Sequence, residues 1–237
     1  MPIYRPALPV VDARETRRYA GLAKAEFDEA TIDAACEEAA LLAEPCVQWE
    51  AFDYDCESGC VASSPPFIIK GAVVRKHLAG AERVIFFTAT IGEEVENAVA
   101  RHFEEGRYAH SVLLDAAATT AVEQVCDALE TMLRPNLAKE GFSMRWRFSP
   151  GYGDWDIHAQ PELLRLTRAE SIGVSLTESF MLCPRKTVTA VIGLVRGGGE
   201  ERSAPRGCAS CNKIDCPSRK EKALFAQSID SLRLSPK

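Results

Sequence analysis

Residues 111–133 constrain this chain most, because Leu114, Ala118, Val122, Val125 and Leu129 recur at three- and four-residue intervals and trace a single apolar stripe. A stripe of that length predicts the longest helix of the protein, lying along a core. Beside it, Asp115, Thr119, Glu123 and Asp127 follow at successive four-residue steps, so a polar ridge runs along the same helix. Charged ridges of this kind are ordinarily solvated faces. The small alanines and threonines around this one let another element, or a ligand, approach the helix closely.

The elements on either side set the fold class. Residues 84–90 are short, apolar and β-prone and read as a buried strand, after which Gly92 opens an amphipathic helix through Phe103. Upstream, 12–22 and 28–44 read as two short helices, the second placing Ile32, Cys36 and Ala39 or Ala40 at helical spacing. Residues 46–52 suit a strand, Ser63-Ser64-Pro65-Pro66 a turn before Phe67, and 71–78 one or two helical turns. Downstream, 161–170 reads as the start of a helix, and 173–182 and 187–195 as two strands. This order has no repeating βαβ unit and no internal repeat. It predicts an α+β domain with a largely antiparallel central sheet flanked by helices. Three parts are expected: a lead-in over 1–80 packed on the main domain, a main domain over 81–196, and a glycine-rich linker with a cysteine-containing tail over 197–237.

A chain of 237 residues with 46% hydrophobic content can bury a sizeable core. Its formal net charge of −6, without long Lys/Arg runs, argues against a nucleic-acid surface, which needs clustered positive charge. No stretch approaches the apolar length needed to cross a bilayer, and Met1-Pro2-Ile3-Tyr4-Arg5-Pro6 lacks a signal-peptide core, so a cytoplasmic, membrane-free protein is expected.

Around Arg147 the pattern changes. Met144, Trp146 and Phe148 alternate with Arg145, Arg147 and Ser149, so a period of two predicts a strand with its apolar set in the core and both guanidinium groups on the opposite face. Pro150 and Gly151 end it in a turn through Tyr152, Gly153, Asp154 and Trp155, and glycine there permits close approach to a bound molecule. Arg147 offers a fork for a carboxylate. An ion-paired surface arginine and packing aromatics are the plainer alternatives.

The run Arg147-Phe148-Ser149-Pro150-Gly151-Tyr152, followed by Leu176-Thr177-Glu178-Ser179, resembles the AdoMet-binding activation domain of cobalamin-dependent methionine synthase, in its free-standing form. The resemblance spans residues 84–194 and is strongest over 147–188. It implies that Arg147 pairs with the carboxylate of S-adenosylmethionine, that backbone at Ser149, Gly151 and Tyr152 holds the rest, and that Glu123 contacts the ligand; Glu178 reads first as a solvent-facing strand carboxylate, with orientation of the loop amides or the ligand as the alternative. Two positions depart from the family. Its N-terminal ligand-contacting aspartate has no counterpart, and its tyrosine on the last strand falls in Val191-Ile192-Gly193, which carries neither hydroxyl nor ring.

The function implied is reactivation. Cob(II)alamin on a corrinoid-binding methionine synthase or related methyltransferase receives an electron from a flavodoxin- or ferredoxin-type donor and a methyl group from AdoMet. No DxHxxG pattern for ligating cobalt is present, so the cobalamin must be carried by the partner chain. The chain would then act as a methyltransferase component in methionine biosynthesis with no nucleophile of its own.

Cys208, Cys211 and Cys216 form a second constellation, three thiolates suited to zinc or an iron–sulfur cluster, with Cys56 or Cys60 available as a fourth ligand. Three unligated reduced thiols are the alternative. A metal-binding scaffold or electron-transfer adaptor is therefore the competing function, and an AdoMet-responsive regulator a third. His77, His102, His110 and His158 make no HExxH pattern, and no GxGxxG, P-loop or GxSxG motif is present, which argues against Rossmann-type methyltransferases and common hydrolases.

Overall fold

The computed structural model describes residues 3–23 and 25–197, so Cys208, Cys211 and Cys216 lie outside the described residues. In chain order the elements are β1 (Ile3–Tyr4), α1 (Ala13–Tyr19), α2 (Glu29–Leu42), β2 (Cys46–Asp55), β3 (Cys60–Val61), β4 (Phe67–Ile68), α3 (Ala72–His77) and β5 (Arg83–Thr90). There follow α4 (Glu94–Glu104), α5 (Tyr108–Lys139), β6 (Phe142–Met144), α6 (Gln160–Thr167), β7 (Ser175–Leu176), β8 (Leu182–Cys183) and β9 (Thr187–Arg196). Seven strands form one sheet in the order β4-β3-β2-β5-β9-β6, with β1 paired to β2, and every pairing among the described residues is antiparallel. The expected α+β class with an antiparallel central sheet is observed.

Both faces of the sheet are covered, which explains why β5 is buried at every position after Arg83 rather than at alternate ones. Ile85, Phe87 and Ala89 face a core shared with α2, α4 and α5, whereas Val84 and Phe86 face a second core shared with α3 and α6. The five stripe residues of α5 are all buried in the first core. The helix also runs beyond Leu133, where the sequence pattern stopped, and through Pro135, because Leu133 and Leu137 bury against the same core as Phe142. Its small residues admit α1: the Thr16 hydroxyl, fully buried, donates to Thr120 Oγ1 at 3.1 Å and accepts from Cys36 Sγ at 3.4 Å, so α1, α2 and α5 meet at one polar knot.

Two expectations fail. Residues 173–182 are not one strand: β7 and β8 make a separate small hairpin, with Thr177 accepting the Met181 N–H through Oγ1 and donating its own N–H to the Met181 carbonyl. The Leu176-Thr177-Glu178-Ser179 block is thus a strand end and a turn, and Glu178 is exposed there.

The alternation from Met144 to Ser149 also breaks. Met144 pairs with Leu194 and Phe148 with Val191, so this segment advances four residues while β9 advances three. One extra residue constitutes a bulge. Met144 consequently enters the first core while Trp146 and Phe148 pack on the second, and the two arginines part company. Arg145 lies across Gly193 beside Leu78 and Ala81 on the second face, whereas Arg147 turns to α5. Gly193 makes room for this, since a Cβ there would stand 3.3 Å from Arg145 Cγ and 2.9 Å from Leu78 Cδ2.

Candidate functional site

The bulge delivers Arg147 onto the polar ridge of α5. Its Nη2 donates to Glu123 Oε2 at 2.6 Å, and its Nη1 to Asp127 Oδ1 at 2.7 Å and Glu130 Oε1 at 2.6 Å. Glu123, Asp127 and Glu130 share one side of the helix at four- and three-residue steps, so a single guanidinium reaches all three. The next steps along the ridge hold a second cation: Lys186 Nζ lies 2.9 Å from Asp115 Oδ1 and donates to Thr119 Oγ1 at 2.9 Å. The ridge is therefore an ion-paired face, although the side chains of Asp115 and Asp127 remain in contact with solvent.

Three carboxylates against one guanidinium leave this end of the ridge with surplus negative charge. Burial works against the charge on Arg147, but the carboxylates of Glu123 and Asp127 more than offset it and hold the guanidinium above its ordinary value. Cys126, buried beneath, has its thiol pushed up by burial and is uncharged at neutral pH. Exposure grades the three acids: the Glu130 side chain is 14% exposed, that of Glu123 38% and that of Asp127 67%. Asp127 is the one free to swing into water and vacate a place on Arg147.

After Phe148 the chain enters the turn that Pro150 and Gly151 predict. Gly151 sits at φ 88°, a left-handed conformation that favours glycine, and donates its N–H to the Trp155 carbonyl at 2.7 Å. The Tyr152 N–H goes to the Ser149 carbonyl at 3.3 Å and the Tyr152 carbonyl accepts the Trp155 N–H at 3.0 Å, so these groups are used inside the turn and the group left exposed is the Tyr152 ring. That ring is 69% exposed, whereas Trp155 is buried in the second core and serves as the anchor.

Asp154 ties the turn down from the other side. Its carboxylate accepts the N–H groups of Ala72 at 2.6 Å and Val73 at 2.9 Å, capping α3, whose own N-cap residue is Gly71 and has no side chain to do so. His77, at the far end of α3, braces the bulge: its ring lies 4.2 Å from that of Trp146, and its Nε2 is 2.8 Å from the Trp146 carbonyl. Beyond the turn, the His158 ring sits 4.4 Å from that of Phe180 at the hairpin tip.

Of the residues singled out in the sequence, Glu123 and Arg147 are in direct contact, and Ser149, Gly151 and Tyr152 form the adjoining turn. Glu130 was missed. Its signal was available: it continues the ridge one step beyond Asp127, at a three-residue instead of a four-residue interval. Val191 and Ile192 are fully buried in the centre of β9, so that strand contributes no polar group at this point.

No family model matches the chain, and no curated protein matches it by sequence. A solved crystal structure of the MetH reactivation domain bound to AdoHcy shares its fold, with a TM-score of 0.58 over 84% of this chain and 80% of that one, at 13% identity. The helix-flanked antiparallel sheet that carries Arg147 and its turn has the fold of that reactivation domain.

Proposed function

We propose that this protein binds S-adenosylmethionine at Arg147 and the 149–152 turn, and that it serves as a reactivation module for a corrinoid methyltransferase. The observation that carries the reading is one cation surrounded by surplus carboxylate, beside a glycine turn, in a fold shared with a domain solved with AdoHcy. AdoMet carries one carboxylate, one ammonium and one sulfonium. Arg147 suits the first, and Glu123, Asp127 and Glu130 suit the two cations, once Asp127 yields its place to the ligand carboxylate. The exposed Tyr152 ring would cover the remainder. The ligand-binding unit in this reading is 81–196.

A corrinoid held on a partner chain would supply the methyl acceptor, and an external donor its electron. The work left to this chain is positional: it grips the amino-acid end of the ligand so that the methyl group faces outward, a gain that depends on orientation rather than on a protein nucleophile. The acidic ridge adds selectivity. Loss of the methyl group removes the sulfonium charge, so AdoHcy should bind more weakly than AdoMet, by about tenfold for a ~1.4 kcal/mol difference.

Anaerobic calorimetric titration with AdoMet and AdoHcy tests this, run beside Arg147→Ala with its folding verified by circular dichroism. Saturable AdoMet binding, weakened about 10- to 100-fold in the variant as expected for one charged hydrogen bond of ~1.5–3 kcal/mol, supports the assignment. Absence of binding to the intact protein, or binding indifferent to a folded Arg147→Ala, overturns it.

A further inference from the structure

We propose that Glu38, His102 and His110 form a binding site for a divalent transition-metal cation of the zinc class. The three residues come from three helices: Glu38 from α2, His102 from the last turn of α4 and His110 from the first turn of α5. His102 Nε2 lies 2.8 and 2.9 Å from the two carboxylate oxygens of Glu38, and His110 Nε2 lies 2.6 Å from Oε2. The imidazole rings stand 4.5 Å apart, edge to face. One potential ligand atom from each residue falls within 4.8 Å of the others, the only such trio of histidine, cysteine or acidic side chains among the described residues.

Two imidazoles and a carboxylate are a donor set suited to zinc, and three protein ligands leave a position for water or another exchangeable group. Donor atoms around a tetrahedral zinc, at bond lengths of about 2.0–2.1 Å, stand about 3.3 Å apart. The observed 2.6–2.9 Å separations therefore need to widen by less than about 1 Å. Glu38 and His110 have that freedom, with side chains 25% and 20% exposed, while His102 at 5% is the fixed point.

Proton placement is compatible as well. Nδ1 of His102 is buried with no hydrogen-bond partner among the described residues, so no neighbour fixes the tautomer and the ring can carry its proton there when Nε2 takes the cation. The carbonyl end of α4 adds partial negative charge next to His102. Arg101 is the competing cation, with Nη2 3.7 Å from Glu38 Oε1, but its side chain is 56% exposed and can move away. The cluster opens into a surface depression of about 730 Å³ whose lining includes Thr31, Ala34 and Tyr108, which leaves a route for the ion and space for its outer ligand.

This site is distinct from that of Arg147. His110 and Glu123 are thirteen positions apart on α5, about 20 Å at 1.5 Å per residue. Cys208, Cys211 and Cys216 are alternative metal ligands, and the test removes them from contention. The full chain carrying Cys208→Ser, Cys211→Ser and Cys216→Ser, stripped of metal, is titrated with zinc and separately with cobalt(II).

One equivalent of each ion, with visible cobalt bands that lack thiolate-to-metal charge transfer, is expected. Glu38→Gln and His110→Ala should each weaken zinc binding by more than the about 10–100-fold that outer-shell changes cost, while Arg147→Ala leaves it unchanged. Zinc should also raise the urea midpoint of the parent chain but not that of His110→Gln, which covers the case in which the alanine variant folds poorly. No saturable zinc binding, a thiolate signature in the cobalt spectrum, or affinity unaltered by both ligand substitutions would overturn the proposal.

Discussion

Arg147→Ala should destabilise the protein by about 2–4 kcal/mol, and most of that cost should come from the acids left behind. Glu130 dominates, since its side chain is only 14% exposed and loses the single cation bonded to it at 2.6 Å. Asp127, 67% exposed, regains water and contributes about 0–1 kcal/mol, and Glu123 at 38% falls between them. Removing the guanidinium also uncovers like-charge repulsion at the i,i+4 and i,i+3 steps, about 0.2–0.5 kcal/mol for each.

The sign of a second substitution makes this decisive. In the wild-type background Glu130→Gln exchanges an ion pair for a bond from Arg147 to an uncharged acceptor and should cost about 1–2 kcal/mol. In the Arg147→Ala background it removes an unpaired, mostly buried charge and should be neutral or stabilising. Urea unfolding of the four proteins at neutral pH, followed by tryptophan fluorescence, measures the coupling directly, and about 1–3 kcal/mol is expected. Additive effects, or an Arg147→Ala cost below about 0.5 kcal/mol, would refute the account of Arg147 as the counter-ion of a carboxylate trio.

Asp154→Ala should cost about 0.5–2 kcal/mol by uncapping α3, and should weaken AdoMet binding in the same titration, because the turn that presents Tyr152 loses its tether. A large stability loss with unaltered affinity would separate the turn from the ligand. Gly193→Ala should cost about 1–3 kcal/mol, since its Cβ would meet the fully buried Leu78 at 2.9 Å on the face crossed by Arg145; an unchanged urea midpoint would contradict the packing of the bulge. Acid sensitivity tests the cap of α2. Hydrogen bonds from the Thr31 hydroxyl and N–H hold the Asp28 carboxyl below its ordinary 3.8. Its contribution is thus complete above that value and is lost as pH falls through the lowered one, so the stability difference between wild type and Asp28→Ala should shrink on acidification and stay flat from mildly acidic to neutral pH.

Periodicity alone revealed the α5 stripe, the buried β5 strand, the helical lead-in and the α+β class, because burial along one continuous element imposes a regular spacing that a linear reading detects. Glu123 on a ridge and the turn at Gly151 were legible for the same reason. The direction of Arg147 was not. A single extra residue opposite Gly193 reverses the facing of everything after it, and nothing in the alternation of 144–149 marks where the bulge falls; the choice is made by Gly193, Leu78 and the His77 ring, all remote in sequence. Glu38, His102 and His110 were equally hidden, since their spacing matches no motif and only the packing of α2, α4 and α5 around one core brings them together. Regular elements are encoded in local burial patterns. The two charged clusters depend on which faces of those elements meet, and that is decided by long-range packing.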